Sequence, residues 1–184
     1  MRRFLIPGIA LATAIALLTL LAFGVNSQGE NTSIDSQVAH GRRPPAPSYG
    51  VALPVLGSAA RESLREMRGK VVVMNIFASW CGPCVAEAAI LEREQGVLRA
   101  HDGTVLGVTF EDNSSDAETF VHHNHITYPV VRDVSGSFAN SFGSKGIPET
   151  FVIDRQGRVA AVRRYQLNNT WLAQVLPRVL GQRS

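Results

Sequence analysis

Residues 4–25 form one uncharged run, apolar apart from Thr13 and Thr19, with Arg2 and Arg3 just before it. Coiled as a helix at about 1.5 Å per residue, the run reaches about 33 Å, enough to cross a hydrocarbon core. A core helix of a soluble domain would carry polar residues along one face, and this run does not. A cleaved signal peptide has a shorter apolar region, about 7–15 residues, ending in small residues, and Ala22-Phe23-Gly24 is a poor cleavage site. An uncleaved transmembrane signal anchor over 4–25 is therefore expected. The positive-inside rule keeps residues 1–3 in the cytoplasm and sends the rest outward. The expected location is a single-pass cell-membrane protein whose domain faces the periplasm or the cell exterior.

Residues 26–50 lack apolar periodicity and are rich in Ser, Asn, Gln, Gly and Pro. They read as a flexible linker, stiffened where Pro44, Pro45 and Pro47 favour extended backbone. The domain is expected over 51–184. Its pattern alternates between two periods. Residues 71–77, Val-Val-Val-Met-Asn-Ile-Phe, form a β-branched run suited to a strand buried on both faces. A helical pattern follows over 83–98, then a strand at 104–110, a helix at 116–124, a strand at 128–131 and a short helix at 135–142. Strands at 149–153 and 158–164 flank the turn Asp154-Arg155-Gln156-Gly157 as a hairpin. Asn168 or Asn169 caps a last helix reaching 180. This order predicts an α/β fold with a central mixed β-sheet flanked by helices.

Composition adds little beyond this. The net charge is +3, carried by 16 Arg and 2 Lys. The pairs Arg42–Arg43 and Arg163–Arg164 are short and isolated. They read as solvated surface, and no nucleic-acid partner is expected.

The cysteines change the picture. The chain has only two, Cys81 and Cys84, in the sequence Trp80-Cys81-Gly82-Pro83-Cys84. They lie between the strand at 71–77 and the helix that follows. Cysteines three apart on a first helical turn are close enough to bridge. The first would stand at the helix N-terminus, where free N–H groups and the dipole favour a thiolate. Pro83 is tolerated there because a first-turn residue needs no N–H bond. Cys81 is thus the expected attacker and Cys84 the more shielded resolving thiol. Half of a zinc site is the competing reading, but zinc needs further ligands, and the chain has no second cysteine pair. His122, His123 and His125 are the only clustered alternative, and they read as a solvated helix end. No metal and no cofactor are expected. A second element is Gly146-Ile147-Pro148 directly before the strand at 149–153, a position a proline tolerates.

Together, residues 69–84 and the run Ile147-Pro148-Glu149-Thr150-Phe151-Val152-Ile153-Asp154 resemble the extracytoplasmic thioredoxin-like family of TlpA, ResA and CcmG/DsbE. The resemblance implies a thioredoxin fold with a TlpA-like central insertion between Gly103 and Asp133. It implies a cis peptide at Ile147–Pro148, facing the cysteine pair. It also implies a membrane-tethered dithiol that reduces disulfides of partner proteins such as apocytochrome c, itself recharged by an upstream membrane thiol donor.

Several positions refine it. Asn75 stands where cytoplasmic thioredoxins carry a buried Asp, and Asn cannot titrate. The resemblance assigns the acid to Glu87, three residues after Cys84. Glu149 is expected to serve partner recognition or proton handling, with Trp80 and Ile147 also contacting partners. Trp171 reads as core. Ala89 departs from the family, in which many members carry Pro. Two other functions compete: a general disulfide oxidase of secreted proteins, and a copper-delivery chaperone. The latter usually has three residues between its cysteines, and this chain has two.

Overall fold

The computed structural model describes residues 33–181. The apolar run at 4–25 lies outside them. Among the described residues no helix is long and apolar enough to cross a membrane.

Strand β3 (Val71–Phe77) is the centre of the fold, and every one of its residues is buried. Its β-branched side chains suit a strand packed on both faces. On one side it pairs in parallel with β4 (Gly103–Phe110), which pairs in parallel with β5 (Val130–Asp133). On the other it pairs antiparallel with β6 (Glu149–Ile153), which turns back into β7 (Val159–Arg163). The sheet order is β5-β4-β3-β6-β7. This is the expected mixed sheet. β5, from the stretch read as the insertion, forms one edge.

Alternation along β3 divides the core in two. Val71, Val73 and Phe77 face one layer with Ala88, Leu91 and Leu98 of α2 (Gly82–Arg99), Phe120 of α3 (Ser114–His123), and Leu172, Leu176 and Val179 of α5 (Asn169–Leu180). Val72, Met74 and Ile76 face the other, with Phe138 and Ala139 of α4 (Ser137–Ser141) and Phe142 just after it. Trp171 packs against the first layer, as its position suggested. Asn168 caps α5, its side chain accepting from the Trp171 N–H. The strand expected at 128–131 begins instead at Val130. Pro129 has no N–H to give to a ladder and joins only through its carbonyl, which accepts the Gly107 N–H at 2.9 Å.

The linker reading of 26–50 is corrected over 33–50, which are folded onto the domain. Helix α1 (Ile34–Ala39) buries Ile34 in the second layer. Residues 44–46 then run along the β6–β7 hairpin: the Val159 N–H donates to the Pro44 carbonyl at 2.8 Å, and the Ala46 N–H to the Gly157 carbonyl at 2.9 Å. Gly157 has φ +77°, and a Cβ there would meet the Tyr49 ring at 2.5 Å, so only glycine lets this segment lie so close. A short ribbon of β1 (Leu53–Pro54) with β2 (Arg61–Glu62) and a 3-10 turn at Leu64–Met67 complete the approach to β3. The domain therefore includes residues from 33 onward rather than from 51.

Asp154 is the fastening point. It is 6% exposed, and its carboxylate accepts the Gln156 and Arg158 N–H groups and pairs with Arg43 at 3.2 Å. Asp154→Ala should strand two turn N–H groups and remove the ion pair with Arg43. We expect a loss of about 1–3 kcal/mol, read from urea unfolding. An unchanged midpoint would mean that Asp154 does not fasten this segment to the hairpin.

Candidate active site

β3 ends at the sheet's centre, and the chain reaches α2 through a tight loop. Asp112, just past β4, holds that loop: one carboxylate oxygen accepts the Ser79 N–H at 2.6 Å and the other the Ser79 hydroxyl at 2.7 Å. Asp112 is buried at 8% exposure. Nothing local in the sequence marked it, because its partner lies 33 residues away.

Cys81 is the N-cap of α2, in extended conformation and without a side-chain cap bond, and a proline stands in the first turn. Its sulfur thus stands where a capping hydroxyl or carboxylate usually does, at the positive end of an 18-residue helix. The Cys84 N–H donates to the Cys81 carbonyl at 3.1 Å. The two sulfurs are joined as a disulfide, with Cα atoms 5.3 Å apart. Cys81 and Cys84 are 5% and 2% exposed. Trp80, by contrast, is 62% exposed, so it is a surface residue beside the disulfide and not a core residue. Val85, on the next turn, is also exposed. Helix α2 continues without interruption through Ala89.

Glu87 is 1% exposed, so it is no solvated helix acid. One carboxylate oxygen accepts from Asn75 Nδ2 at 2.9 Å, and the other accepts the Leu167 N–H. Asn75 also donates to the Thr150 hydroxyl oxygen at 3.0 Å. Asn75 and Thr150 are directly paired across β3 and β6, so both side chains stand on the face that α2 covers. Burial pushes the Glu87 carboxyl above the usual carboxylate range. The hydrogen bonds from Leu167 and Asn75 and the charge of Arg163 oppose this in part.

The Ile147–Pro148 peptide is cis. Pro148 is buried immediately before β6, and Ile147 packs against the cluster that contains both cysteines. Glu149 is paired with Ile76, so its side chain lies on the opposite face from Glu87. It is 1% exposed and bonded to Arg164 at 2.8 Å. The structure therefore seats Glu149 inside the domain, not on a rim where a partner could touch it. His122, His123 and His125 are exposed at the end of α3. Among the described residues no three His, Cys, Asp or Glu side chains gather as a metal-holding group.

The raised Glu87 carboxyl has a definite consequence for stability. In the folded state it binds its proton more tightly than in the unfolded chain, so between the two values the folded state carries more proton. Wild-type stability should fall as pH rises from the ordinary value of 4.5 through the raised one. Glu87→Gln removes that slope, measured by denaturant unfolding at a series of pH values. It should also alter how the reduction potential of the cysteine pair depends on pH. If both profiles match wild type, Glu87 does not titrate with the redox centre.

Comparison with known proteins agrees with this geometry. The model of the AhpC/TSA family matches residues 46–162. Over 154 residues the chain is 28% identical to the thiol-disulfide oxidoreductase ResA of Geobacillus thermodenitrificans, covering 84% of this chain and 86% of that one. It is 29% identical over 163 residues to the thiol:disulfide interchange protein CycY of Rhizobium leguminosarum, covering 79% and 81%. Among solved structures, a thiol:disulfide interchange protein DsbE from Chlorobium tepidum superposes with a TM-score of 0.70 at 29% identity, over 76% of this chain and 97% of that one. With a thioredoxin-like sheet, a Cys-x-x-Cys disulfide capping a helix and relatives of this kind, the chain belongs to the AhpC/TSA family and, within it, to the thioredoxin-like thiol–disulfide oxidoreductases of the ResA, DsbE and CycY type.

Proposed function

We propose that the protein is an extracytoplasmic reductase of partner-protein disulfides, with apocytochrome c as the substrate class its family resemblance implies. The observation that carries the direction is the charge around Cys81. Along α2 itself, only the helix N-terminus favours its thiolate. The first turn, Gly82-Pro83-Cys84, holds no histidine and no basic residue, and the nearest ionisable group along the helix is the buried acid Glu87. When ionised, Glu87 opposes a second negative charge; when protonated, it adds no positive one. A thiolate that is not strongly stabilised gives a reducing pair.

The steps balance as two thiolate displacements. Cys81 Sγ attacks one sulfur of the partner disulfide, forming a mixed disulfide and expelling the partner's other sulfur as a thiolate. Cys84 then loses its proton and attacks Cys81 Sγ. This forms the Cys81–Cys84 disulfide and frees the second partner thiolate. Two electrons pass to the partner, and an upstream membrane thiol donor must restore the dithiol. Glu87, one helical turn after Cys84, is the carboxylate suited to take the Cys84 proton. Trp80, exposed beside the disulfide, offers partners an aromatic contact.

Trapping tests the assignment. Cys84→Ser should accumulate a mixed disulfide with partner proteins through Cys81, apocytochrome c among them, whereas Cys81→Ser should accumulate none. Equal trapping by both variants would contradict the order of attack. Capture of secreted proteins at large, without apocytochrome c, would favour general disulfide exchange.

The apolar run at 4–25 supports membrane attachment. The full chain should stay in the membrane fraction through high-salt and carbonate washes. A mature N-terminus near Val25 would make it a secreted enzyme instead.

A further inference from the structure

We propose that Arg164 is the positioning residue of the cis-proline loop and that helix α1, through Asp35, locks it in place. The inference rests on Cys81–Cys84 as the pair that exchanges with partner disulfides, and it adds a determinant of partner engagement remote from the cysteines in sequence.

Arg164 directly follows β7, with 19% of its side chain exposed. Its guanidinium grips Asp35 at two points, Nε to Oδ1 at 2.9 Å and Nη2 to Oδ2 at 2.6 Å. Nη2 also donates to the Phe142 carbonyl at 3.0 Å, and Nη1 to Glu149 Oε2 at 2.8 Å. Its centre lies 5.0 Å from the middle of the Phe151 ring. The planar fork satisfies all of these at once, which an ammonium could not.

The arrangement brackets one loop. Residues 143–148 leave α4 after Phe142 and enter β6 at Glu149, with cis Pro148 as the last residue before the strand. Arg164 binds the carbonyl at the first end and the carboxylate at the second. The remaining Glu149 oxygen accepts the Lys145 N–H at 3.3 Å, from within the loop itself. A carboxylate only 2% exposed needs its counter-charge, so the start of β6 depends on Arg164. Asp35 is different. It is 44% exposed, and it belongs to the segment that reads from sequence as a tether. The pairing with Arg164 holds its carboxyl below the usual carboxylate range. A buried ion pair is weak support for stability compared with apolar packing. What this one does supply is a fixed loop conformation beside the disulfide, maintained from outside the sheet by α1.

The test uses the full-length reduced protein, a disulfide-containing protein substrate and glutathione disulfide. Arg164→Gln should raise KM for the protein disulfide about three- to tenfold with kcat little altered, the signature of lost binding rather than lost chemistry. Asp35→Asn should move KM in the same direction by less, and Arg164→Lys should restore part of the loss. In both of the first two variants the ratio of protein-disulfide to glutathione-disulfide rates should fall, and the Lys145 amide should exchange hydrogen faster. Unchanged KM in Asp35→Asn and Arg164→Gln overturns the proposal. So does a parallel fall with both substrates, which marks general damage to the fold. If Arg164→Gln does not fold, the more exposed Asp35→Asn decides alone. Cys81→Ser checks the exchange reading separately: wild-type rates in that variant would sink that reading whatever the Arg164 variants do.

Discussion

A single buried carboxyl group organises the redox half of this molecule. Glu87 lies under the helix that carries the cysteines, where leaving an acid without partners would cost several kcal/mol. Its two oxygens are therefore met by Asn75 from β3 and by the Leu167 N–H from the segment before α5. Asn75 can hold that acid because it is an amide. It donates at once to Glu87 and to Thr150 on β6 without competing for the proton. Helix α2, β3 and the segment before α5 thus meet at one titratable group three residues after Cys84, with β6 joined to it through Asn75. That meeting ties α2 to the sheet near its cysteines, while Ala88, Leu91 and Leu98 pack the helix along its length.

The opposite face of the sheet repeats the device with another acid. Glu149 is one residue from Thr150, so alternation along β6 sends it to the far side. There a guanidinium, not an amide, satisfies it, and the charge remains paired. The two acids therefore differ in what they can do. Glu87 is held by neutral donors, the Asn75 amide and the Leu167 N–H. Glu149 is bound into an ion-pair cluster with Arg164 and Asp35 and serves to hold shape. Between them stand the start of β6 and the cis-proline loop.

Much of this was legible in the sequence where chemistry is local. The run at 71–77 suited a doubly buried strand, and Gly82-Pro83 after Cys81 suited the opening of a helix. Asn168 and Asn169 marked the start of the last helix, and the structure gives the cap to Asn168. What escaped depends on distant partners. Ile34 and Val38 are the only large apolar residues in α1, so no periodicity reveals it, and it is held by Arg164 across 129 positions. Asp112 looks like any loop acid until Ser79 is beside it. Glu149 read as serving partner recognition or proton handling because it directly follows Pro148. Strand alternation instead turns its side chain inward, to where Arg164 waits.

The central claim is that the surroundings of Cys81 leave its thiolate only modestly stabilised, so that the dithiol is a reductant. Equilibration against a glutathione or dithiothreitol buffer measures this directly. Each 30 mV of a two-electron couple corresponds to about 1.4 kcal/mol of preference between the two states. The environment described predicts a potential nearer to thioredoxin's, about −270 mV, than to the strong oxidant at about −120 mV. A value above about −180 mV, the range of isomerases, would contradict it and assign the protein to disulfide formation.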